Sequence, residues 1–190
     1  ATSGLALPTR LANKMATEAC VDQVFAEEVK HVIRVCKESA QELNNLLEAG
    51  AQLKVRQGTT DYSFITDIDF DIGEPSCPLT PMLYAAQVGS LPAARFLMYA
   101  GADTKRSTQV KLRYDEKHQI NLHLQVLHVA TLRADENMVK ELLLFGIDVA
   151  STCSGEVDTC VPLAFTELTC MHITILNSNS KFIQPLLHAQ

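Results

Sequence analysis

The chain has 190 residues, 47% of them hydrophobic and 20% charged, enough apolar material to bury a continuous core in one elongated domain. A net charge of −6 and a pI near 5.5 exclude a general nucleic-acid-binding surface, which needs a concentrated Lys/Arg face. No run approaches the roughly 18 apolar residues of a membrane span, and Leu5-Ala6-Leu7 is too short and lacks the basic flank of a secretory signal. Cys20, Cys36, Cys77, Cys153, Cys160 and Cys170 follow no tight disulfide framework, so free thiols are expected in an intracellular protein, cytoplasmic with the nucleus as the alternative.

The stretch from Thr9 to Phe25 places Leu11, Met15, Ala19, Val24 and Phe25 among polar residues, which predicts a helix capping the N-terminal end over residues 1–28. The apolar run Val29, Val32, Ile33, Val35 and Cys36 then leads to Leu46-Leu47-Glu48-Ala49-Gly50-Ala51. This spacing predicts a helix pair closing at Gly50. In the next connection, Gln52 to Leu79, Ile68, Phe70 and Ile72 alternate with Asp67, Asp69 and Asp71, the pattern of an extended finger with an acidic rim. A calcium loop also gathers carboxylates at alternate positions. Here Ile72 stands where its sharp-turn glycine is needed and Pro78 where its bidentate glutamate belongs.

Thr80-Pro81 opens the most legible unit. The threonine hydroxyl can cap free N–H groups, and proline at the first helical position loses nothing by lacking its own. Ala85-Ala86 are small, as a helix lying close to its neighbours requires. Gly89 permits a tight reversal into a second helix carrying Ala93, Ala94, Phe96 and Leu97, and Gly101 ends it in the left-handed conformation. The pattern recurs from Val126-Leu127-His128-Val129-Ala130 to Leu142-Leu143-Leu144-Phe145-Gly146-Ile147-Asp148. It returns, degraded, from Cys170-Met171-His172-Ile173 to Pro185-Leu186-Leu187-His188-Ala189-Gln190.

These residues resemble the ankyrin-repeat family. The resemblance covers residues 29–190, with repeats at about 29–51, 80–103, 125–148 and 169–190, and it implies an all-α helix-turn-helix solenoid with long β-hairpin-like or irregular loops. His128 and His172 fall on the histidine of the Thr-Pro-Leu-His motif, which in the family bonds neighbouring backbone and fixes the turn. The closing positions 50, 101, 146 and 190 are spaced 51, 45 and 44 apart, against about 33 in ordinary ankyrin repeats, and such insertions map to loops on one face. Gln190 stands where a closing glycine belongs, so the resemblance implies a fragment of a longer protein. A cut stack would also expose a C-terminal face through which the chain could self-associate.

The second long loop, Thr104 to Leu124, is basic through Lys105, Arg106, Lys111, Arg113 and Lys117, which suits attraction to the acidic finger before it or, in the functional reading, an acidic peptide or phosphate group on a partner. The third, Val149 to Leu168, carries Cys153 and Cys160 ahead of Cys170 and His172, but the spacings match no zinc knuckle. With no phosphate loop, nucleophile elbow or H-E-x-x-H pair, neither enzymatic activity nor a cofactor or metal is expected.

The expected function is protein recognition by a scaffold or adaptor module. The alternative is a cytoplasmic regulatory or substrate-recruiting arm of a larger channel, enzyme or ubiquitin-ligase assembly. In ankyrin-like stacks the two residues before each inter-helix turn are free to vary, which transfers to Cys36 and Lys37, Gln87 and Val88, Leu132 and Arg133, and Leu176 and Asn177. Tyr84, Lys111, Arg113 and Tyr114 complete the expected contact set, since exposed aromatic and arginine side chains are typical energetic anchors.

Overall fold

A computed structural model describes residues 21–36, 40–56, 68–73, 77–113, 119–158, 163–176 and 186–187, with side chains for most of them. The chain divides into two compact units, one within Ala1–Glu74 and Leu79–Ala102, the other within Pro75–Pro78 and Asp103–Gln190.

The first unit is helical. Helix α1, Val21–Val35, buries Phe25, Val29, Val32 and Ile33 at helical spacing. It therefore runs across the 28/29 boundary expected between a cap and the first repeat. Helix α2, Gln41–Arg56, buries Leu43 and Leu46 and continues through Gly50, so that glycine closes no helix pair. Helix α3, Pro81–Val88, starts as its sequence dictates: the Leu83 N–H donates to the Thr80 hydroxyl at 3.3 Å and Pro81 takes the first helical position. Every residue from Pro81 to Ala86 is buried, the mark of a helix enclosed on all sides. Gly89 turns the chain with φ 76° into helix α4, Leu91–Tyr99, which buries Ala93, Ala94, Leu97 and Met98.

The alternation at Ile68, Phe70 and Ile72 makes no strand. Asp71 instead accepts from the backbone N–H groups of Gly73 and Leu79, both at 2.8 Å, and Ile72 donates its N–H to the Leu79 carbonyl. Ile72 is buried, and the Phe70 ring lies 5.7 Å from that of Phe25.

The second unit overturns the expectation of an all-α ankyrin-type solenoid. Its long connections are hairpins that pair into one antiparallel sheet in the order β1-β2-β3-β4: β1 Ser107–Arg113, β2 Gln119–Gln125, β3 Thr152–Asp158 and β4 Leu163–Thr169. The protein is mixed α/β, with seven helices and four strands among its described residues. The cause is the period-two pattern within the insertions, in which Thr108, Val110 and Leu112 alternate with polar residues, as do Ile120, Leu122 and Leu124. Register Leu122↔Gly155 joins the two hairpins through β2 and β3, which turns two separate loops into a continuous sheet. One extra residue in β4 opposite Ser154 makes a bulge, where Glu167 takes φ 67°.

Each hairpin runs directly into a helix, β2 into α5, Val126–Leu132, and β4 into α7, Cys170–Leu176. Between them lies α6, Glu136–Leu144, whose first turn is capped by Asp135 accepting from the Met138 N–H at 3.0 Å. Leu124, Leu127, Ala130, Met138, Val139, Leu142, Cys170 and Ile173 form the core of this unit.

Helices α4 and α6 end alike. Gly101 and Gly146 have φ values of 90° and 87°, and their N–H groups bond back to Met98 and Leu143 at 3.0 Å each. Ala102 and Ile147 close the second bond of the motif, to Leu97 and Leu142. A Cβ added at either glycine meets nothing within 4 Å, so only the backbone conformation resists it. Gly101→Ala and Gly146→Ala are each expected to lose about 1–2 kcal/mol in urea unfolding. A clearly smaller loss at one site would show that its helix end relaxes.

Candidate functional site

One concavity of the second unit lies at the base of the sheet. Strands β2 and β3 pair from His123↔Ser154 outward, and their inner ends, Gln125 and Thr152, take no part in that ladder. The gap is a cleft of about 500 Å³. Two short turns frame it, each fixed by an aspartate: Asp103 accepts from the Lys105 N–H and Asp148 from the Ala150 N–H, both at 2.9 Å. Lys105 and Asp148 supply opposite charges to the lining, Gln125 and Thr152 supply an amide and a hydroxyl, and Phe145 and Ile147 supply apolar surface.

Helix α6 ends at this cleft. Leu144, its last residue, is 83% exposed, and the next residue, Phe145, is 43% exposed. The run Leu142-Leu143-Leu144-Phe145 held the signal that the sequence reading missed. Four consecutive apolar residues on a helix of 3.6 residues per turn cannot all face inward. Leu142 takes the core and Leu144 is left in solvent.

The buried groups of this unit are committed to structure. His128 is fully buried, and its Nε2 donates to the Ser151 carbonyl at 3.2 Å, which ties α5 to the start of β3. The covered atoms His128 Nδ1 and Ser151 Oγ have no hydrogen-bond partner among the described residues. The Thr169 N–H donates to His172 Nδ1 at 3.0 Å, which fixes the entry to α7. Burial pushes the Cys153 thiol up to about 11 and the Cys170 thiol up to about 12. Both are therefore expected to resist a thiol reagent at neutral pH until the protein unfolds. Labelling either thiol at the same rate in native and denatured protein would contradict the burial. Cys160 lies outside the described residues. Among the described residues no group of three or more His, Cys, Asp or Glu side chains is placed to hold a metal ion. Nor is any described helix long and apolar enough to cross a membrane.

The residues named from the sequence are divided between the two units. Tyr84 is buried at 7% exposure, and its hydroxyl accepts from Arg34 Nη2 at 2.6 Å, so it is not the exposed aromatic that was expected. Gln87 is exposed and Val88 half-buried at the end of α3. Close by, the Ser90 hydroxyl donates to the Cys36 carbonyl at 3.1 Å, which brings the ends of α1 and α3 together within the first unit. In the second unit Lys111 is exposed on β1, Leu132 half-buried and Arg133 exposed at the end of α5. Arg113 ends β1 and Leu176 ends α7. Tyr114, Asn177 and Lys37 lie outside the described residues. Lys111, Leu132 and Arg133, the members of that set in the second unit whose side chains are described, do not line the cleft. No family model matches the sequence, and no curated protein matches it.

Proposed function

We propose that the chain is a non-catalytic protein-binding module and that the cleft of the second unit holds an extended peptide segment of a partner protein. The observation that carries this reading is Leu144 and Phe145 standing exposed in sequence beside a cleft of peptide-binding size. Apolar side chains of the peptide would pack on Phe145 and Ile147, its backbone would meet Gln125 and Thr152, and an acidic residue would sit near Lys105. The buried, high-pKa thiols of Cys153 and Cys170 and the structurally engaged histidines support a binding role over nucleophilic chemistry.

The test is capture of partners from cell extract by the intact protein beside Leu144→Asp and Lys105→Glu variants, followed by mass spectrometry and titration of the retained protein. Both positions are exposed, so the variants should keep their stability within about 0.5 kcal/mol. A partner held by the intact protein and weakened at least about tenfold by either variant is the expected result. Equal retention by all three proteins would remove the cleft from consideration.

A further inference from the structure

The register of the sheet sorts its residues onto two faces. Leu122, Leu124, Thr108 and Cys153 are buried on one of them. The other is polar: Lys111 on β1, His123 on β2, and Ser154 and Glu156 on β3 are exposed, while Asn121 between them is half-buried with its side-chain oxygen covered. Pairings Lys111↔Asn121 and Asn121↔Glu156 set a cation, a neutral amide and a carboxylate in one row across three strands. In the adjoining row the backbone register aligns Arg113 with Gln119 and Gln119 with Asp158. Positive residues thus occupy β1, negative residues β3, and neutral amides the strand between them.

Neighbouring strands lie about 4.8 Å apart, which separates the backbones at Lys111 and Glu156 by roughly 10 Å. Among the described residues neither side chain has an ion-pair partner.

We propose that this polar face binds a second copy of the chain, face to face, about a two-fold axis running along β2. Such an axis preserves position along the strands and exchanges the two sides of the sheet. Strand β1 of each copy then overlies β3 of the other, and Lys111 of each copy meets Glu156 of the other in the same row. A two-fold interface has to be complementary to itself, and a face with opposite charges on either side of a neutral strand meets that condition. Stacked sheets lie about 10 Å apart, a gap that a lysine from one side and a glutamate from the other span together. Asn121 and His123 on β2 sit beside the axis, each facing its own counterpart. Exposed ion pairs are individually weak and are screened by salt, so the association is weak, reversible and strongest at low ionic strength.

Sedimentation equilibrium over a concentration series tests the assignment, at about 0.01 M and about 1 M salt, where the Debye length is about 30 Å and about 3 Å. At low salt the average mass should rise with concentration from the 20.9 kDa monomer towards twice that value, and at high salt it should stay at the monomer. Lys111→Glu alone and Glu156→Lys alone should each weaken the association at least about tenfold, since like charges then face each other. An equimolar mixture of the two variants should recover it, because only the mixed pair restores both contacts. Circular dichroism confirms that the variants are folded. A wild-type mass that stays monomeric at low salt overturns the proposal. So does a dimer indifferent to both reversals, or a mixture no more associated than its components.

Discussion

Leu127→Ala is expected to lose about 2–5 kcal/mol in urea unfolding followed by circular dichroism. Leu127 is fully buried on α5, the helix that packs against β2, α6 and α7. Truncation removes the transfer free energy of the isobutyl group and leaves a cavity whose walls belong to several elements, so no one of them can move in to fill it. Leu144→Ala, on the neighbouring α6 but 83% exposed, should change stability by no more than about 0.5 kcal/mol. Comparable losses at the two positions would mean that α5 is not the centre of the second unit.

Replacement of His128 comes next in size and carries a pH signature. His128→Ala deletes the donor to the Ser151 carbonyl, and the orphaned group costs about 1–3 kcal/mol before the cavity is counted. Burial lowers the imidazole pKa from its ordinary value, against the pull of the Ser151 and Leu168 carbonyls, which favour the charged ring. In the unfolded chain the ring takes up its proton near pH 6.5; in the folded chain it does so only at lower pH. Between those values the unfolded state binds the extra proton. The contribution of His128 is therefore complete above about pH 6.5 and declines as pH falls below it. Urea midpoints measured from pH 8 down to 5 should fall in the lower half of that range for the wild type and fall less for the alanine variant. Parallel curves for the two proteins would place the pH dependence elsewhere.

The local signals of the sequence proved legible wherever a single turn decides the structure. Thr80-Pro81 begins α3, Gly89 reverses the chain, and Gly101 and Gly146 end their helices with the left-handed geometry that their positions imply. What failed were inferences from one segment to its distant neighbours. The alternation at Ile120, Leu122 and Leu124 is as clear as that at Ile68, Phe70 and Ile72, but the first makes a strand and the second does not. The difference is the presence of pairing partners: β2 has a strand on either side, whereas the carboxylate of Asp71 binds the backbone N–H groups of Gly73 and Leu79. Gly50 shows the same limit, because a glycine marks a helix end only where the following chain leaves, and α2 goes on to Arg56. Tyr84 was read as a surface residue because nothing near it in sequence announces Arg34, fifty positions away, as the partner of its hydroxyl. The cleft depends on where the β2–β3 ladder begins, a matter of register between hairpins, and no local pattern encodes it.

The junctions Gln125–Val126 and Thr169–Cys170 leave no residue between strand and helix. Along a strand one added residue exchanges the two faces, and along a helix it turns every later side chain by about 100°. With no spacer to absorb such a shift, the phase of each hairpin and the phase of the helix it feeds are a single quantity. The chain can therefore tolerate changes of length at these joints only in steps that restore both periods at once, which makes them the places where its length is most tightly held.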